Sequence, residues 1–136
     1  MTATLSARLR TSSDSLLRLA MRLDAIIVGL TGIALIAAAG PISAATGIPR
    51  PVEYGVGVFS IGYGLVVFTL AALPDVRRAG MFTALANTVC TVVAVAVVLT
   101  EVFPLTTAGV VVIVATGVYT AVFAELQYAG VRRIRR

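Results

Sequence analysis

Four long apolar runs divide this chain, and its polar residues gather between them. The runs cover residues 23–39 (with 16–21 as a lead-in), 54–73, 79–99 and 105–126. Each approaches the roughly 20 residues a helix needs to cross a bilayer core. The third run includes "TVVAVAVVLTEV", residues 91–102, a β-branched stretch that reads as a strand in water. In lipid a lone strand leaves its backbone groups unpaired, so a helix is expected there as well.

The gaps carry the punctuation of turns. "GPISAATGIPRPVE", residues 40–53, holds three of the five prolines and is expected to break the first helix into an outer loop. "PDVRRAG", residues 74–80, and "TEVFPL", residues 100–105, read as short turns, with Pro104 near the start of the fourth helix. Short connections make consecutive helices antiparallel neighbours. The expected fold is therefore an all-α membrane protein, an up-down four-transmembrane-helix bundle over residues 16–128. Residues 1–15 read as a flexible or surface-lying tail, with Ser13 or Ser15 as a cap for a helix starting near Leu16. Leu16, Leu17, Leu19, Ala20 and Leu23, with Arg18 and Arg22, outline a short amphipathic segment. Residues 129–136 read as a basic tail, and no internal repeat relates the two halves.

Composition strengthens this picture. Of 136 residues 59% are hydrophobic and 12% charged, against roughly 25% charged in a soluble domain. The runs use most of the chain, leaving no room for a soluble domain. Basic residues ahead of an apolar run resemble a secretory signal, but the run starts late and three more follow, so a retained helix is expected. One cysteine, Cys90, and no histidine exclude an internal disulfide, bis-His haem, the usual zinc sites and a Ser-His-Asp triad within the chain. No cofactor is expected.

Charge placement sets the expected orientation. All eleven basic residues are arginine. Arg8, Arg10, Arg18 and Arg22 precede or open the first run, Arg77 and Arg78 lie between the second and third, and Arg132, Arg133, Arg135 and Arg136 follow the fourth. Arg50 alone lies on the other side. The positive-inside rule then puts both termini and the 74–80 turn in the cytoplasm, with the chain in the cytoplasmic membrane. The net charge of +5 points to anionic lipid headgroups at Arg77, Arg78, Arg132, Arg133, Arg135 and Arg136, not to nucleic acid.

"SIGYG", residues 60–64, matches the form of a potassium-channel filter. Such a filter lies between two complete spans and is lined by backbone carbonyls. Here about ten residues follow before Pro74, covering only ~15 Å of a ~30 Å core. Helix packing explains the small residues better: Ser60 and Gly64, Ala25 and Gly29, and Gly117 and Ala121 are small-xxx-small pairs, and Gly57 adds to the second helix.

The polar positions inside the runs are the candidate chemistry. Asp24, near the start of the first run, is expected at the interface. It is either ion-paired with Arg18, Arg22 or Arg78 or a functional acid. Glu125 reaches the same inner layer, which allows an Asp24–Arg–Glu125 cluster. Asn87 is the most buried uncharged candidate and is expected to bond across helices. Tyr63 and Tyr119 lie deep enough to need hydroxyl partners, whereas Tyr54 and Tyr128 read as interface anchors. Thr88, Thr91, Thr116 and Thr120 can bond their own helix carbonyls. Arg50 and Glu53 are expected as a solvated pair or none, and Cys90 as a small packing residue.

Three stretches, "RLDAIIVGLTGIALIAAAGP", "GIPRPVEYGVGVFSIGYGLVVF" and the surroundings of Asn87, resemble a group of small actinobacterial four-helix integral membrane proteins. The likeness runs through Arg22, Asp24, Gly29, Gly32, Pro41, Gly47, Pro49, Gly57, Tyr63, Gly64 and Asn87. The four-span plan with an early arginine is also similar to DoxX-like proteins. Neither resemblance implies a catalytic residue, and no enzymatic activity is expected. Three functions stay open. The first is an accessory or structural subunit packing beside other membrane proteins or as a homo-oligomer. The second is a small proton-coupled transporter using Asp24, and the third a membrane enzyme or quinone-handling protein.

Overall fold

The computed structural model describes residues 2–5 and 13–134. Arg8, Arg10, Arg135 and Arg136, and with them most of the expected N-terminal tail, lie outside the described residues. Beyond a helical turn at residues 2–5 there are five helices: α1 (Ser15–Ala37), α2 (Ala39–Thr46), α3 (Arg50–Leu70), α4 (Arg77–Thr100) and α5 (Thr107–Arg133). No strand occurs among the described residues, so the β-branched stretch in α4 is helical. α1, α3, α4 and α5 are each long and apolar enough to cross a membrane.

The helix expected near Leu16 begins at Ser15 and runs on through the first apolar run to Ala37 without a break, and α5 runs to Arg133, past residue 126. Hydropathy treats an arginine as the end of a span. A helix ends instead where its backbone groups find other partners, and arginine stems lie along it comfortably.

The 40–53 connection is also largely helical, contrary to the loop expected there. A proline at position 41 of a continuous α1 would lack the N–H that bonds residue 37 and would clash with that carbonyl. The chain breaks at Ala38 (φ −123°) and restarts as α2, where Pro41 sits harmlessly in the first turn. Gly47 ends α2 in the left-handed region (φ 79°), and Pro49 and Pro51 open α3. The Gly47 Cα lies so close to the Pro104 carbonyl that a β-carbon there would collide with it.

Thr106 stitches this end together. Its Oγ1 caps α5 by accepting from Gly109 N (3.0 Å) and donates to Ala45 O (2.6 Å), while its N–H donates to Thr46 O (3.0 Å). The last two carbonyls of α2 are thereby satisfied. At the opposite end of the bundle Arg18 does the same for α3. Its Nη1 donates to Ala71 O (2.8 Å) and Leu73 O (2.7 Å), and its Nη2 to Pro74 O (3.1 Å) and to Asp14 (2.9 Å).

The helices assemble as two tight pairs, α1 with α3 and α4 with α5, joined mainly along α1 and α5. Consecutive helices were expected to be neighbours throughout, yet α3 and α4 touch only sparingly. The Arg18 clamp and the apolar plug of Leu17, Met21, Val67, Ala71, Val76, Ala79 and Val131 fill the end of the bundle where these two helices are joined by the 71–76 turn. In the α1/α3 pair the backbones approach closely. A β-carbon on Gly64 would lie 2.6 Å from Ala25 O, and one on Gly32 would lie 2.6 Å from Gly57 O. Glycine is required at both contacts, as the small-residue pattern implies. Gly29 forms the floor beneath Gly64, and Gly117 faces Ala94 at ordinary distance.

Candidate functional site

Asp24 lies near the middle of α1, a 23-residue helix, and is fully buried. About 14 Å of helix lies ahead of it at ~1.5 Å per residue, and its side chain points into the bundle. Among the described residues no arginine pairs with it. Arg18 is committed to Asp14 and the α3 carbonyls, and the Arg18–Asp14 contact is the salt bridge found among the described residues.

Four neutral donors surround the carboxylate instead. Oδ2 accepts from Asn87 Nδ2 on α4 (2.8 Å), Tyr63 Oη on α3 (3.0 Å) and Gln127 Nε2 on α5 (3.0 Å). Oδ1 accepts from Tyr119 Oη on α5 (2.9 Å). Three donors crowd Oδ2 and one reaches Oδ1, so both carboxyl oxygens are engaged. Asn87 ties the cluster further. Its Nδ2 also lies 3.0 Å from Gln127 Oε1, 3.2 Å from Thr83 O and 3.3 Å from Tyr63 Oη. With two hydrogens it can serve two acceptors well, and Asp24 and Gln127 are the nearest.

Each membrane-length helix therefore contributes to one buried polar knot. Asn87 and Gln127 are 3% and 0% exposed. The hydroxyls of Tyr63 and Tyr119 find the partners expected for them, and Asn87 bonds across helices as expected. Gln127 was missed there. Its signal was available, since an amide two residues after Glu125 lies about 200° round the helix and so faces inward if Glu125 faces out. One turn further along the α4/α5 seam, Thr91 and Thr120 share a hydrogen bond (2.7 Å) while also reaching helix carbonyls. Thr88 and Thr116 bond only their own helices.

The other candidates lie apart from this knot. Glu125 is exposed and does not join Asp24, so the Asp24–Arg–Glu125 cluster does not form. It lines an open groove of about 850 Å³ between α4 and α5, with Met81, Leu85, Thr88, Val92 and Tyr128. Arg132 stands over the Tyr128 ring at 5.8 Å. Cys90 is exposed on the outer face of α4 and does not pack inside the bundle. Glu53 is buried at 3% exposure, with Thr46 Oγ1 at 3.5 Å, instead of forming a solvated pair with Arg50. The fold explains this, because α2 lies over the start of α3 and Arg50 turns towards Gly40. Arg77, Arg78, Arg132 and Arg133 stand at the same end of the bundle as Arg18 and the 74–76 turn, spread over two helices.

Chemically, the knot offers one carboxyl, two phenols and two amides, all at hydrogen-bonding distance. It can hold four helices in register. It can exchange a proton or cation only if a donor turns away from Asp24. No protein-family model, curated protein or solved structure matches the chain.

Proposed function

We propose that this multi-pass chain works as a helix-packing partner in the cytoplasmic membrane: an accessory or structural subunit beside other membrane proteins or copies of itself. One observation carries the reading. The Asp24 knot is self-contained, closed by four donors from the same chain and sealed from solvent. The central acid is thus occupied in holding the bundle, and the surface left for function is the outer one. That surface is extensive, since only 17–28% of each span's apolar window is buried within the chain. Polar contacts inside membranes commonly set helix register, and small-residue faces bring helices together.

In this reading both termini and the 74–80 turn face the cytoplasm. Arg77, Arg78, Arg132 and Arg133, together with Arg135 and Arg136, then meet anionic headgroups. Membrane-impermeant thiol labelling of Ala129→Cys against Thr107→Cys, each on a Cys90→Ala background, tests the orientation. Labelling of position 107 alone on intact cells supports it, and labelling of position 129 alone reverses it.

The test of function is purification of the tagged chain in native-like lipid with quantitative mass spectrometry. A homo-oligomer, or a second membrane protein near one-to-one stoichiometry, supports the reading. Recovery as a solitary monomer overturns it. A second reading, a proton-coupled transporter, is favoured by the depth of Asp24 alone, since intramembrane acids commonly mark ion pathways. It requires that Asp24→Asn abolish a proton-coupled flux in a chain that still folds.

A further inference from the structure

Among the exposed charged side chains that make no ion pair within the described residues are Arg22 on α1 and Glu125 on α5; Arg132 lines the same groove as Glu125 but stands over the Tyr128 ring. Both are exposed, and both stand two residues before a residue of the central knot, Asp24 and Gln127 respectively. At about 100° per residue each is turned some 200° away from the bundle axis. They belong to different helix pairs, Arg22 to α1/α3 and Glu125 to the open groove of α4/α5.

Their depth is the same. α1 and α5 are antiparallel, and Gly130 packs directly on Leu17, its absent β-carbon only 2.9 Å from the Leu17 Cα. Five residues onward along α1 is Arg22, and five residues back along α5 is Glu125. Both therefore lie ~10–12 Å inside their helix ends, in the inner half of the spans. Arginine can snorkel to the headgroups from that depth. A glutamate is too short to do so, and an unpaired carboxylate facing lipid is costly.

We infer that Arg22 of one copy pairs with Glu125 of a neighbouring copy. The occupant of the α4/α5 groove is then a second copy of this chain, presenting its α1/α3 face. Parallel insertion does the matching: copies with the same orientation hold residues of equal depth at equal height, so an arginine and a glutamate at one level meet without any vertical slip. The contact is heterologous, one face against a different face, so it builds rings or rows and not an isolated two-fold dimer. This names a partner within the packing-partner reading, on which it rests.

The test is cross-linking and charge exchange in lipid vesicles at low protein-to-lipid ratio. On a Cys90→Ala background, co-reconstituted Arg22→Cys and Glu125→Cys chains should form a mixed disulfide under mild oxidation, far above the Arg22→Cys homodimer. Separately, Arg22→Glu and Glu125→Arg should each weaken association, read by energy transfer between labelled copies, by at least about tenfold. The double exchange should restore it. Single variants that associate like the parent chain, or a double exchange as weak as the singles, overturn the inference, provided circular dichroism shows each variant folded. A copy that is monomeric yet purifies one-to-one with a different membrane protein overturns this inference and leaves the packing-partner reading standing. A solitary monomer overturns both.

Discussion

Replacing Asp24 by leucine should unlock the bundle. The two side chains share one branched shape, so no cavity opens, but the leucine methyls crowd donors held at 2.8–3.0 Å, so overpacking adds to the lost hydrogen bonds. Four donors, on Tyr63, Asn87, Tyr119 and Gln127, lose their acceptor together. Hydrogen bonds between membrane helices average about 0.6 kcal/mol and reach about 1.7, so four give a loss between about 2.4 and 7 kcal/mol. Asp24→Asn should be far milder. Its amide oxygen can take the Oδ2 position, keeping the bonds from Tyr63, Asn87 and Gln127, and the Tyr119 hydroxyl can rotate to accept from the new NH₂. Its loss should be about 1 kcal/mol, since three of the four bonds persist and the fourth only reverses direction. Equilibrium unfolding in mixed micelles, followed by circular dichroism, measures both. A leucine variant within about 1 kcal/mol of the parent, or an asparagine variant as damaged as leucine, would refute the argument that the knot holds the helices. Because the asparagine variant should stay folded, it also serves the flux test of the transporter reading without confusion from misfolding.

Other substitutions probe the packing. Gly64→Ala drives a β-carbon towards the Ala25 carbonyl at 2.6 Å and should cost about 1–3 kcal/mol. Gly62→Ala enters open space and should be neutral or stabilising by up to about 1 kcal/mol, so thermal unfolding of the two variants should separate them clearly. Arg18→Ala removes the donors to the carbonyls of Ala71, Leu73 and Pro74. The 71–76 turn should then show faster hydrogen exchange, while the outer turn around Thr106 is unchanged. Cys90, exposed on α4, should react in the folded protein with a membrane-soluble maleimide, and protection equal to that of a buried thiol would contradict its placement.

Much of this architecture was legible in the residues alone. Backbone groups in hydrocarbon have no alternative partner, so runs of about 20 apolar residues dictate helices even where Val and Thr favour strands. The glycine and serine positions on α1 and α3 pointed to close packing for a similarly local reason, since only small residues let two backbones touch. The depth of Tyr63, Tyr119 and Asn87 followed from their distance to the span ends. The partnership of Asp24 did not. Sequence proximity favoured Arg18 and Arg22, the expected topology added Arg78 at the same level, and opposite charge favoured an ion pair. The tertiary structure decided otherwise, because Arg18 is drawn to the unsatisfied carbonyls at the end of α3 while the antiparallel register of α1 and α5 brings Gln127 and Tyr119 to the carboxylate from about 100 residues away. The same register put Arg22 and Glu125 at one depth and on different faces. A linear sequence states which residues are polar and roughly how deep they lie. Which of them face inward together depends on helix rotation and pairing, and those are settled only when four helices pack at once.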